Sequence, residues 1–343
     1  MKKSFKRGTA ALIALFIAAA ALLAACGGGE KADPVVHDGK QLLLDPTFAR
    51  GFNVRGLNTA DGAKVFGRLD YGDASLEPLW NFGQWWAKES IVDGGAERLS
   101  DGSWHYYDST KEMTINTKAG LLKQRVVASK NYDAPRKANE MWLHELCEMS
   151  LAGYFLSENT ERLPDFRLSE MKELWLTARF KLTYFEDHMG DDAASVNLHS
   201  AQYTCFINLQ NLNKVPEKDK DFGKLMHLGL PIFDNRFEYT ELFAAKDTTS
   251  ANYIYSLASG DYMSSSFFKD GKPYGSADSE WITVDIDILP YIKEAFARAK
   301  NLGYLPNTDW DELYLGACTV GWEVSGTYDA EMWIKDLRIY GVK

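Results

Sequence analysis

Trp175-Leu176-Thr177-Ala178-Arg179-Phe180-Lys181-Leu182-Thr183-Tyr184 alternates residue by residue, with Leu176, Ala178, Phe180, Leu182 and Tyr184 on one side and Thr177, Arg179, Lys181 and Thr183 on the other. Successive side chains of an extended chain point to opposite faces. A period of two with one polar face therefore describes a half-buried antiparallel strand. Two further stretches read the same way. Tyr203, Cys205, Ile207 and Leu209 oppose Thr204, Phe206, Asn208 and Gln210, and Ile282, Val284, Ile286 and Ile288 oppose Thr283, Asp285 and Asp287. Strands of this kind need a second sheet to cover their apolar face, so the chain reads as an all-β sandwich.

Between these strands the period changes once. Over Pro290–Leu302, Ile292, Ala295, Phe296 and Ala299 form a helical stripe, Lys300 complements the helix end, and Gly303 provides the stop. Strand character resumes at Leu313, which makes this a crossover helix. A second helix is expected over part of Leu76–Lys88, through Leu79, Phe82 and Trp86. Long loops are expected at Asn213–Asp221 and Lys269–Asp278. At the C-terminus, Leu313–Val324 and Ala330–Tyr340 read as a closing hairpin around Ser325-Gly326-Thr327. The apolar phase of its second arm shifts between Met332/Ile334 and Leu337/Ile339, as an extra residue in a β-bulge requires.

The N-terminus is organised differently. Lys2, Lys3, Lys6 and Arg7 precede an unbroken apolar run from Ala10, which ends at Leu23-Ala24-Ala25-Cys26. Small residues immediately before a cysteine mark a bacterial lipoprotein signal peptide over residues 1–25, with lipid attached to the Cys26 thiol. Residues 26–39, opening with Gly27-Gly28-Gly29, have too little apolar surface to offset chain entropy and read as a flexible tether. Residues 40–343 are then a single β-sandwich domain, outside the cytoplasm and tied to a membrane through the anchor.

The full chain carries a formal charge of −10, and the signal peptide contains four basic and no acidic residues, so the processed chain is at −14. Such a surface repels phosphate backbones, and nucleic acid is excluded as a partner. Cys147, Cys205 and Cys318 fit no zinc or redox spacing; one disulfide with a free thiol, or three buried thiols, are both compatible with the sequence.

The ending Gly321-Trp322-Glu323-Val324-Ser325-Gly326-Thr327-Tyr328-Asp329, followed by Ile334-Lys335-Asp336-Leu337-Arg338-Ile339, resembles the final hairpin of jelly-roll carbohydrate-binding modules and related lectin-like domains. The resemblance implies a jelly-roll-like sandwich and a carbohydrate ligand. Sugar recognition needs flat apolar surfaces for ring C–H faces and planar hydrogen-bonding groups for hydroxyls. Trp322 with Glu323, Asn208 with Gln210 on one strand face, Trp142 and Arg179 are the candidate binding residues; Trp85 and Trp86 are a further aromatic pair.

An enzyme on the same fold is the alternative. Glycoside hydrolysis needs two spaced carboxylates, for which Asp285 with Asp287, or Glu140, Glu145 and Glu148 beside Trp142 and His144, supply the residue types. A polysaccharide lyase would draw on His144, His199, His227, Arg179 and Arg236. A structural or adhesive surface protein is the third reading. No cofactor is required by any motif; structural calcium has possible oxygen ligands at Glu186-Asp187-His188 with Asp191-Asp192, or near Asp336. Dinucleotide, phosphate-loop, nucleophile-elbow and zinc-protease motifs are missing from the sequence.

Overall fold

Strand parity sorts the side chains into a core and two outer faces. A computed structural model describes residues 34–61, 64–72, 76–151, 166–190, 194–212, 220–247 and 251–343. The expected signal peptide, Cys26 and the first part of the tether lie outside the described residues, as do Asp191 and Asp192. The chain divides into two units, Met1–Val36 and His37–Lys343, and both sheets belong to the second.

In chain order the strands are β1 (Lys40–Gln41), β2 (Phe52–Arg55), β3 (Val65–Leu69), β4 (Trp80–Gly83), β5 (Gly95–Arg98), β6 (Trp104–Tyr107), β7 (Lys111–Asn116), β8 (Leu121–Val127), β9 (Leu143–Ser150) and β10 (Glu173–Asp187). They continue as β11 (Ala201–Asn211), β12 (Leu225–Asp234), β13 (Phe243–Lys246), β14 (Tyr253–Ser256), β15 (Phe268–Lys269), β16 (Lys272–Pro273), β17 (Ile282–Asp287), β18 (Leu313–Val324) and β19 (Tyr328–Val342). An eight-stranded sheet runs β17-β10-β19-β8-β7-β6-β5, with β1 beside β19; a nine-stranded sheet runs β13-β14-β12-β11-β18-β9-β4-β2-β3. The architecture is the expected β-sandwich, but β18 and β19 are not the expected hairpin: the turn at Ser325-Gly326-Thr327 carries the chain from one sheet to the other, β18 lying between β11 and β9 and β19 between β10 and β8. Two pairs, β2 with β4 and β12 with β14, are parallel. In each case a hairpin partner occupies the outer position, and the intervening chain is long enough for a parallel return.

The apolar faces read from the sequence meet between the sheets. Leu176, Ala178, Phe180 and Leu182 of β10 and Tyr203, Cys205, Ile207 and Leu209 of β11 are fully buried in one continuous core. Contact across the sandwich is direct: the Phe180 and Tyr203 rings lie 6.1 Å apart, and Tyr203 packs edge-on to Trp322 at 5.0 Å. One polar side chain ties the layers. Gln124 of β8 accepts from the Tyr203 hydroxyl, its backbone carbonyl accepts from Trp322 Nε1 at 3.1 Å, and its amide donates to the Glu145 carbonyl at 3.3 Å. The three cysteines are buried and unpaired.

The bulge in β19 falls at the phase shift. Two steps along β10, from Thr177 to Arg179, face three steps along β19, from Arg338 to Lys335. Asp336 takes a left-handed φ of 57° there and holds Arg179, whose Nε donates to it at 2.8 Å. Helix α1 (Leu289–Asn301) buries Ile292, Ala295, Phe296 and Ala299 and carries the chain from the edge of one sheet to the middle of the other. The second expected helix does not form. Leu76–Lys88 contains β4 instead, because Trp80 and Phe82, two apart, bury their side chains together as only a strand allows.

The core also contains an acid. Glu145 of β9 points inward, is fully buried, and has one carboxyl oxygen with no hydrogen-bond partner. Burial pushes its carboxyl well above the ordinary range, against the pull of Lys111 and with the help of Asp108. Lys111 is itself buried and pairs with Asp108 at 2.6 Å. Above the ordinary carboxylate range the unfolded chain gives up a proton that the native protein keeps. Stability therefore falls as pH rises from that range toward the raised native value. Glu145→Gln should flatten this slope. Thermal melts at pH 4 and pH 8 are expected to show the variant gaining on wild type only at the higher pH; an equal difference at both would count against a protonated core acid.

Candidate active site

Because Trp322 points inward, its neighbours Gly321 and Glu323 point out, onto the free face of the nine-stranded sheet. The register then lays out rows across the strands. The first row is Asp234, Gln202, Glu323 and His144. The second places Thr204, Gly321, Leu146 and Gly83 side by side. The third is Phe206, Thr319, Glu148 and Asn81, and the fourth sets His227 beside Asn208 and Ala317.

Two glycines in the second row leave its floor low. At Gly321 the reason is backbone approach: a Cβ there would sit 2.1 Å from the Glu145 carbonyl oxygen on β9. At Gly83 the indole of Trp85 lies close over the strand, 3.4 Å from where a Cβ would be. The depression between the first and third rows is a cavity of about 360 Å³, in the range of small-molecule sites. Its lining includes Arg55, Asn81, Trp85, His144, Glu148, Phe206, Asn208, His227, Asp247, Asn252, Thr319 and Glu323.

Each polar group has a definable state. Glu148 is held from two sides: Arg55 reaches one carboxyl oxygen at 3.5 Å, and the Thr319 hydroxyl reaches the other at 3.4 Å. Asn208 Oδ1 lies 2.7 Å from His227 Nδ1, and burial lowers His227 to about 4 in spite of Asp247. His144 is packed 6.0 Å from Trp85 and 5.4 Å from Trp142 between ring centroids. Burial lowers its pKa as well, opposed by Glu323 and Asp247. Both rings are uncharged at neutral pH, leaving Arg55 as the one cation among the described lining residues.

Of the residues expected from the sequence, Glu323 and Asn208 line the groove. Trp142 stands behind His144, with the Arg136 guanidinium 5.0 Å from its ring centre. Three expectations are corrected. Trp322 is no platform: it is fully buried against Tyr203 and Phe233. Arg179 belongs to the other sheet, paired with Asp336. Gln210 shares the strand face of Asn208, but it is buried beyond the groove with its amide bound to the Gly223 carbonyl at 2.7 Å. The expected acid pairs also separate. Asp285 binds His37 at 2.6 Å, Asp287 accepts backbone N–H groups of Leu174 and Leu289, and Glu140 serves its own loop. Among the lyase candidates, His199 is spent on backbone groups and Arg236 on Asp234. Among the described residues no cluster of His, Cys, Asp or Glu is arranged to hold a metal ion.

The structure brings Trp85, His144, Glu148 and His227, each named from the sequence for a different reason, into this one groove, and adds Arg55, Asn81, Phe206, Asp247, Asn252 and Thr319. A helical reading of Leu76–Lys88 hid Asn81. On β9 the phase is masked because Leu146 faces the groove while Glu145 faces the core.

No protein-family model matches the chain, and no curated protein matches it. Similar solved structures include an endoglucanase from Rhodothermus marinus, at 12% identity over 72% of this chain and 96% of that one, with a TM-score of 0.36. A family 12 xyloglucanase from Bacillus licheniformis is 9% identical over 72% of this chain and 97% of its own, with a TM-score of 0.37. A family 11 xylanase from Neocallimastix patriciarum is 14% identical over 72% and 95%, with a TM-score of 0.32.

The placement of the two tryptophans separates by experiment. Trp322→Ala should cost about 3–5 kcal/mol of folding stability, the scale for deleting a buried aromatic side chain. Trp85→Ala, on the groove wall, should cost markedly less. Urea unfolding of both variants decides it, and equal losses would contradict the assignment of one ring to the core and the other to the site.

Proposed function

We propose that the groove binds a carbohydrate chain and hydrolyses a glycosidic bond with Glu148 and Glu323. The observation that supports this is the placement of these two carboxylates on adjacent strands, facing one cavity whose floor between them is formed by Gly321 and Leu146. A glycosidase needs one carboxyl to protonate the leaving oxygen and another to act as nucleophile or to activate water. Glu148, whose oxygens are held by Arg55 and Thr319, suits the charged role, since both contacts favour a carboxylate. Glu323 has no hydrogen-bond partner among the described side chains and is free to serve as the acid. Trp85 and Phe206 supply apolar walls for a sugar ring, and Asn81 and Asn208 supply planar hydrogen-bonding groups.

Reducing-end release from plant, host and microbial polysaccharides is the direct assay. Glu148→Gln and Glu323→Gln should each slow cleavage by about 10²–10⁴-fold, the usual span for losing one acid–base group, with melting temperatures close to wild type. Wild-type protein that binds a glycan and leaves it intact would replace hydrolysis with binding alone.

We also propose that the protein is exported and held at a membrane by lipid on Cys26, supported by Leu23-Ala24-Ala25-Cys26 after a basic and an apolar segment. In a bacterial host, wild-type protein is expected in the membrane fraction with lipid mass on Cys26. Cys26→Ala should carry no lipid; wild type found soluble and unmodified would remove the proposal.

A further inference from the structure

Trp85 and His144 carry buried hydrogen-bonding atoms in the groove that no protein group answers. Both ring nitrogens of His144 and the Nε1 of Trp85 are buried without a hydrogen-bond partner, yet both side chains line the cavity. The His144 ring cannot readily swing away to find one. It is wedged between the indoles of Trp85 and Trp142, and its backbone N–H is fixed to the Trp85 carbonyl at 2.9 Å. A buried donor or acceptor left unmade costs about 1–3 kcal/mol. At the wall of a cavity, such a group is answered when a ligand arrives.

The chemistry of that ligand follows from what the groups offer. An uncharged imidazole presents one N–H and one lone pair, and the indole presents one N–H. A hydroxyl can donate to the lone pair and accept from an N–H; an ionised carboxylate, sulfate or phosphate can only accept. An anion would also meet Glu323, directly across the strand pair from His144, and Asp247, which lines the same cavity. The cation nearest in kind to offset them, Arg55, is already engaged by Glu148.

We infer that Trp85 and His144 form a recognition subsite for neighbouring hydroxyls of an uncharged sugar ring, beside Glu323, with His144 as the specificity-determining residue. The inference rests on the carbohydrate reading of the groove and adds to it which glycans enter and which side chains select them.

Affinity electrophoresis of the full chain through gels containing hydroxyethyl cellulose, xylan, galactomannan or polygalacturonate tests it. At least one neutral polymer should retard wild type, and polygalacturonate should not. His144→Phe fills the slot between the indoles without ring nitrogens and should weaken retardation at least tenfold. His144→Gln, which both donates and accepts, should keep more of the affinity than His144→Phe. Trp85→Phe removes the indole N–H and gives a second reading if His144→Phe fails to fold. Retardation by polygalacturonate equal to that by neutral polymers would overturn the inference, as would unchanged affinity in folded His144→Phe and Trp85→Phe, while leaving a carbohydrate groove in place. Wild type retarded by none of the four polymers would overturn the carbohydrate reading and the inference together.

Discussion

Trp322 fixes the orientation of the site. Its indole fills the space between the sheets against Tyr203 and Phe233, and its N–H is tied to the Gln124 carbonyl of the opposite sheet. Side chains alternate along a strand, so this single inward placement sends Gly321 and Glu323 outward together. A one-residue slip of β18 would bury Glu323 and expose Trp322, reversing core and groove at once. The tryptophan thus contributes to function from beneath the sheet, through the parity it enforces.

The same strands carry two departures from a simple apolar core. Glu145 lies on the inner face of β9, and Leu146 lies on its outer face. Gln124 links the sheets through Tyr203, Trp322 and the Glu145 carbonyl. A polar network between two sheets is favourable when its members are satisfied and costly where one is not, as at the unpartnered Glu145 oxygen. Both departures lie directly under or beside the low floor of Gly321, where β9 and β18 approach closely. The packing of the core and the shape of the groove are therefore properties of one pair of strands.

Within the groove, two sets of polar side chains contrast. Glu148, Asn208 and His227 are answered by protein neighbours, which fixes their orientation before any ligand binds. Trp85 and His144 are held in place by packing, with their polar atoms left for something else. A site that is rigid in geometry but incomplete in hydrogen bonding is preorganised: little ordering remains to be done on binding, and recognition falls to groups that the fold itself leaves unmade.

The strands at Trp175–Tyr184, Tyr203–Gln210 and Ile282–Ile288, the helix after Pro290 and the bulge near Asp336 were all legible from the chain, because periodicity is a local property. So was the outward face bearing Asn208. The position of Trp322 was not, since alternation says that Trp322 and Glu323 lie on opposite faces without saying which face is covered. Nor could alternation reveal that Arg179 and Asn208 belong to different sheets. The site depends on register between strands distant in sequence, which brings Glu148 of β9 and Glu323 of β18 to one face and sets Trp85 against His144. Local sequence determined which elements form; the pairing and packing of those elements decided which polar side chains share a groove and which are spent holding the fold.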